Sequence, residues 1–277
     1  VTAWASGDWR WAFYVVVPPG LLLGIWCLFM KDPPRGQTDQ GAVARRASWG
    51  DYLVLLKTPS YVLDTIGMTA MTFAMGGLAF FMPRYAVTRI KEETGPIAAD
   101  QMAEITGKLL EEVNYTFGII VVVSGLGATI LGGIVGDKLK ARFSGAYFLV
   151  SGLAMTLGFP FILLALWAPF TPFPWAWICI FLACFCLFFN TGPTNTILAN
   201  VTHPSIRASA FALNILIIHA LGDAVSPLII GIINGYTSMT IGFLTVSFMF
   251  LVAAAAWFLG VKHLKRDTEL APTRLAS

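Results

Sequence analysis

The chain has 277 residues, of which 57% are hydrophobic and 12% charged, with a formal net charge of +3. Its apolar residues come in runs of about twenty, long enough to cross a bilayer as helices, and not in short amphipathic stripes. This pattern excludes an ordinary soluble domain, and so small a positive excess calls for no nucleic-acid partner.

Residue 1 is Val, and the opening VTAWASGDWR reads as a short interhelical loop without an initiator Met or a cleavable signal pattern; the expectation is the back part of a longer protein. Trp11 to Met30 forms the first span, with Pro18 and Pro19 near its middle. The polar segment from Lys31 to Ser60, rich in Pro, Gly and Arg, reads as a linker with a short surface helix from Trp49 to Lys57. Span two runs from Tyr61 to Arg84; its Asp64 stands near the start, where a carboxylate is expected among the headgroups or capping the helix. A polar excursion from Tyr85 to Asn114 follows, and Met102, Ile105, Leu109 and Val113 recur there at the spacing of an amphipathic surface helix feeding span three.

Span three, Tyr115 to Gly136, is rich in glycines that allow close helix contact. Span four runs from Gly145 to Trp167 and span five from Trp175 to Ala199, where FFNTGPTNTILAN sets Asn190, Thr194 and Asn195 around a helix-breaking Gly192-Pro193 step. Span six is Arg207 to Asn234, span seven Met239 to Val261, and a short polar tail ends the sequence. Seven spans alternate sides, and the basic residues then sort thirteen to five; the richer side holds the linker and the C-terminus and is expected to be cytoplasmic.

Span six carries the ionisable pair. His219 and Asp223 are four apart and share one helix face. A central Asp costs about 2.5 to 3.5 kcal/mol to insert, so the pair is expected to face protein or a wet cavity. Three readings stand: a hydrogen bond that satisfies both groups in a packed interface, a substrate or gating role, or a proton relay. Asn190, Thr194 and Asn195 are either interhelical glue or cavity wall. The four cysteines lie inside apolar runs and read as small packing residues. A membrane enzyme would need clustered His, Asp, Glu or a nucleophile; of three histidines only His219 is intramembrane, and no H-x-x-x-H metal spacing occurs. Gly133, Gly136, Asp137, Lys138 and Arg142 end span three either as a positive-inside anchor or as a conformational latch in which Asp137 pairs with cations or a helix N-terminus in one state.

G-x-x-x-D-K-x-x-x-R at Gly133, Asp137, Lys138 and Arg142 resembles the loop motif of the major facilitator superfamily, found between helices 2 and 3 and between helices 8 and 9; Lys140 stands where a glycine is usual and Ala141 where an arginine is. GDWRWAFYVVVPPGLLLG with the following DPPRG (Asp32 to Gly36), FAMGGLAFFMPRY (Phe73 to Tyr85) and H-x-L-G-D-x-x-S-P (His219 to Pro227) are similar to the spinster-like branch. The resemblance implies an all-α polytopic membrane protein whose seven transmembrane helices are helices 6 to 12 of a twelve-helix fold, helices 1 to 5 lying outside this sequence. Residues 1–30 would be the last helix of the N-terminal bundle, 31–60 the cytoplasmic interdomain linker, 61–263 the C-terminal six-helix bundle and 264–277 a cytoplasmic tail. It further implies secondary transport by alternating access in an inner or plasma membrane, among membrane lipids and without a cofactor. The substrate would be an amphiphilic lipid, such as a lysophospholipid or sphingoid phosphate, or a small organic anion, with His219, Asp223, Asn190, Asn195 and Asn214 in its cavity. Drug or organic-anion efflux by the same fold, and a non-transporting assembly subunit, are the alternatives.

Overall fold

The computed structural model describes residues 10–31, 50–95, 98, 100–167, 173 and 175–275. The chain divides into two units, residues 1–44 and 45–277. In the first, helix α1 (Arg10–Phe29) runs unbroken through Pro18 and Pro19 and agrees with the first expected span. Its apolar stretch, Phe13–Phe29, is shorter than the spans of the second unit.

The second unit is all helical among the described residues. It contains α2 (Asp51–Leu56), α3 (Pro59–Thr94), α4 (Met102–Lys140), α5 (Ala146–Leu166), α6 (Trp175–Phe189), α7 (Thr191–Val201), α8 (Arg207–Ile218), α9 (Ser226–Tyr236), α10 (Met239–Ser247), α11 (Met249–Gly260) and α12 (Leu264–Leu270). Taken as continuous rods, six helices are long and apolar enough to cross a membrane: Pro59–Thr94, Met102–Lys140, Ala146–Leu166, Trp175–Val201, Pro204–Tyr236 and Met239–Gly260. The interior is apolar, with Phe148, Met155, Ile180, Ile197, Ile230, Phe243, Phe250 and Trp257 among its fully buried side chains. α3 packs chiefly on α11, α5 on α6 and α11, and α4 on α6.

Several elements depart from the sequence reading. Spans two and three do not stop at the membrane: α3 has 36 residues and α4 has 39. At about 1.5 Å per residue they reach roughly 54 and 58 Å, well beyond a hydrocarbon layer of about 30 Å. The surface helix expected to feed span three is continuous with it, as the first part of α4. Ala86 and Val87 of α3 bury against Val113 of α4, Ile90 and Leu109 pack beside them, and Lys91 bonds Thr106. An apolar period that looks like a surface stripe in the sequence is thus a helix–helix seam. The regular α-helix of span seven is interrupted at Phe248, between α10 and α11, where the Ser247 hydroxyl donates to the Phe243 carbonyl at 2.8 Å and competes with the regular ladder. The polar tail is ordered as α12 and a following turn, Ala271–Thr273.

The starts of α3, α5 and α8 and the ends of α4, α7 and α11 lie at one end of this unit. Contacts across that end show it: Gly145 abuts the Val261 carbonyl, and the Tyr61 hydroxyl donates to Ala210 O at 2.8 Å. The other end is closed by Tyr85, whose hydroxyl donates to Leu166 O, and by Glu93, which accepts the Phe173 amide at 3.0 Å.

Candidate functional site

The helix that carries the ionisable pair is not one uniform α-helix. α8 opens into a wide turn over His219–Asp223, closed by the Ala224 amide donating to His219 O at 3.1 Å, before α9 begins. Pro227 explains the opening. It has no N–H to offer the carbonyl four residues back, that of Asp223, and its ring clashes with a carbonyl there. Gly222 gives the widened turn room beside α3, where an added Cβ would meet Phe73 N at 3.1 Å and Thr69 O at 3.2 Å.

The turn also keeps one face of the helix on its neighbour. Ala210, Asn214, Ile218, Gly222, Ser226 and Ile230 are all buried. In a regular helix each four-residue step overshoots a full turn by about 40°, so this stripe would wind off α3; a wider turn takes part of that drift back. A single turn closed five residues back, in place of four, is rare in helices and falls frequently at functional sites.

On the flank of the buried stripe stand the two ionisable groups. His219 Nδ1 lies 2.8 Å from Asp223 Oδ2, with side chains 58% and 35% exposed. Asp223 abuts Gly76 of α3 so closely that any side chain at residue 76 would collide with its Cα and Cβ. With Asp223 engaging Nδ1, the second ring nitrogen of His219 remains for another partner.

The asparagines divide. Asn214 is buried and donates through Nδ2 to Thr65 Oγ1 at 3.0 Å, tying α8 to α3. Asn190 is fully buried at the break between α6 and α7, where its Nδ2 donates to Leu187 O at 2.9 Å. Asn195 is exposed and donates to Thr191 O at 2.8 Å, within its own helix. Thus His219, Asp223 and Asn195 are accessible, whereas Asn190 and Asn214 lie within helix contacts. Among the described residues no hydrogen bond joins Asn190 or Asn195 to the His219–Asp223 pair.

The expected Gly-Pro break falls at Asn190. Pro193 frees the carbonyl of Phe189 in the same way that Pro227 frees that of Asp223. That carbonyl is aimed at Gly132 of α4, and Gly192 lies against Gly133, so three glycines let the kinked helix and α4 approach backbone to backbone.

At the α4–α5 turn, Asp137 Oδ1 accepts a 2.8 Å hydrogen bond from the Tyr147 hydroxyl, and Lys140 Nζ sits 5.0 Å above the Tyr147 ring. Gly136 leaves space for that ring. Lys138 and Arg142 are exposed. The partner of Asp137 here is thus a tyrosine at the start of α5, which the loop motif by itself does not include.

Asp64 corrects the sequence reading. It is neither among headgroups nor a helix cap: it is 0% exposed, in the contact between α3 and α11, and accepts the Trp257 Nε1–H at 3.1 Å through Oδ1. Gly67, one turn on, makes room for the indole. Trp257 lies 193 positions away, and no local signal in the sequence pairs it with Asp64.

Comparison with known proteins fits this arrangement. The family model described as Major Facilitator Superfamily matches residues 1–227. The chain belongs to the major facilitator superfamily. Within that superfamily it is spinster-like: it is 33% identical over 236 residues to the zebrafish (Danio rerio) protein spinster homolog 3, covering 83% of this chain and 46% of that protein. It is 31% identical over 279 residues to the zebrafish sphingosine-1-phosphate transporter SPNS2, covering 92% of this chain and 54% of the other. The chain therefore spans about half the length of these curated relatives. The fold matches the crystal structure of a bacterial homolog to the human lysosomal transporter spinster in an inward-facing, unoccupied conformation. That match has a TM-score of 0.64 and 18% identity, over 94% of this chain and 60% of the other.

Proposed function

We propose that this chain is the C-terminal part of a spinster-type secondary transporter, with α1 and the six spans of the second unit corresponding to helices 6 to 12 of a twelve-helix protein that works by alternating access. The observation that carries this reading is the His219–Asp223 pair, accessible and hydrogen-bonded at a wide turn in a helix otherwise apolar enough to cross the membrane. Such groups cost too much in lipid to be kept without use. Asp223 orients the imidazole, and a protonated His219 pairs with an anionic group, so the substrate is an amphiphilic lipid anion or a small organic anion. Asn195 is a further accessible polar side chain, while Asn214 ties α8 to α3 and Asn190 is buried at the break between α6 and α7. One relative carries sphingosine-1-phosphate in its name, which supports an anionic headgroup on an acyl or sphingoid tail. The turn of Gly133, Gly136, Asp137, Lys138 and Arg142 is the latch, with Tyr147 as the partner of Asp137 in this conformation. The basic end, linker and tail are cytoplasmic, as the charge bias favours.

The test is flux of sphingosine-1-phosphate and of a lysophospholipid in proteoliposomes containing the complete gene product. His219→Ala and Asp223→Asn are expected to abolish flux while the protein remains monodisperse. Flux at wild-type rates in both variants refutes the site. Equal permeability of liposomes with and without the wild-type protein, for both lipids, refutes the lipid assignment.

A further inference from the structure

The end of the bundle where α3 begins holds a hydrogen-bond node that the substrate site does not use. α12 and the turn after it fold back beneath that start. Asp267, 2% exposed, accepts the Ser60 amide through Oδ2 at 2.8 Å and engages Arg274 Nη2 through Oδ1 at 2.6 Å. The other Nη of Arg274 bonds Thr58 Oγ1. Helix α3 begins with Pro59, and Thr58 at its cap position makes no side-chain capping bond. The first amides of a helix have no intrahelical carbonyl, so Asp267 supplies the acceptor that a local cap would have offered.

From Thr58 the contacts continue into the linker. Its hydroxyl donates to Val54 O in α2 at 2.9 Å. Tyr52 of α2 donates to Ser209 Oγ at 3.3 Å, and Tyr61 of α3 donates to Ala210 O at 2.8 Å, both at the start of the helix that bears His219 and Asp223. One buried carboxylate in the tail thus closes a chain that runs through the linker helix to the substrate helix. α2 itself has only six residues and exposes Leu53 and Leu56, so its own burial holds it weakly.

We propose that residues 264–275 are a strap that fastens α2 and the entry of α3 to the bundle, with Asp267 as its fastening, and that release of the strap frees the linker joint while the crossing helices stay packed. The strap goes beyond the transport reading and rests on it only where flux is measured.

The experiment is hydrogen–deuterium exchange on the complete gene product in lipid nanodiscs, comparing wild type, Asp267→Ala and Arg274→Lys. Asp267→Ala is expected to speed exchange in peptides covering 50–63 and 264–275 by about tenfold or more, with peptides covering 146–166 and 226–236 unchanged. Arg274→Lys, which keeps a cation beside Asp267, gives a smaller change in the same peptides. Unchanged exchange at 50–63 overturns the strap, and so does faster exchange spread evenly over all the helices, the mark of an ordinary stability defect. In proteoliposomes Asp267→Ala is expected to change turnover by about threefold or more at an unchanged half-saturation concentration. Equal turnover overturns the link to linker movement. Absence of flux in the wild type overturns the transport reading, and the strap is then decided by exchange alone.

Discussion

Replacing Gly132 by alanine tests the closest approach in the bundle. An ideal Cβ on residue 132 falls on the Phe189 carbonyl oxygen, with Phe189 C at 2.7 Å and Cα at 3.2 Å. These are backbone atoms of a neighbouring helix, so no rotamer change relieves the collision and α4 must move off the α6–α7 kink. Overpacking of this kind costs typically about 1–3 kcal/mol, and the rigid obstacle places Gly132→Ala at the upper end. For a chain of this size about 1 kcal/mol is worth roughly 2–4 °C, so the expected loss is about 6 °C or more in a thermal melt of purified protein. The collision exists because Pro193 leaves the Phe189 carbonyl without its partner. Pro193→Ala returns an N–H to position 193 and draws that carbonyl back into the helix, so the double variant should lose less than the sum of the single losses, by about 1 kcal/mol. A Gly132→Ala variant that melts with the wild type, or strictly additive losses, would refute the account of the kink.

Three further outcomes follow from the same geometry. Pro227→Ala gives the Asp223 carbonyl an amide partner and closes the wide turn, swinging His219 by up to about 100° relative to α3; flux should fall by about tenfold or more while the melting temperature holds or rises, and undiminished flux would show that the turn is not needed. Tyr147→Phe removes the hydroxyl whose hydrogen bond Asp137 accepts; that part-buried bond is worth about 0.5–1.5 kcal/mol in stability, and trypsin should cut after Lys140 and Arg142 several times faster, so that an unchanged cutting rate contradicts the latch. Trp257→Phe takes away the indole donor that holds Asp64 Oδ1 and should cost about 2 kcal/mol or more, whereas Asp64→Asn keeps an oxygen for that indole and should stay within about 1 kcal/mol of wild type. The reverse ranking in thermal melts would mean that the indole hydrogen bond is not what the buried carboxyl is kept for.

Where the apolar runs lie was legible in the sequence because lipid demands a long, nearly uncharged stretch for each crossing, and composition records that directly. The His219–Asp223 contact was legible for a similar reason: a four-residue spacing brings two side chains together on any helix, and the structure shows them 2.8 Å apart. The wide turn beneath them was written in Gly222 and Pro227, but hydrophobic periodicity counts apolar residues and does not follow a carbonyl left without a donor. Pairings between distant segments are another matter. Nothing near Asp64 names Trp257, nothing near Ser60 names Asp267, and nothing in the loop motif names Tyr147, because each contact exists only once two helices have met. The sequence by itself determined a family, the six long apolar spans and one polar face, since these follow from local spacing and from the solvent a segment must enter. Only the tertiary structure decided which polar groups are sealed within helix contacts and which stay accessible, because a helix face acquires its neighbour from the whole bundle and not from its own residues.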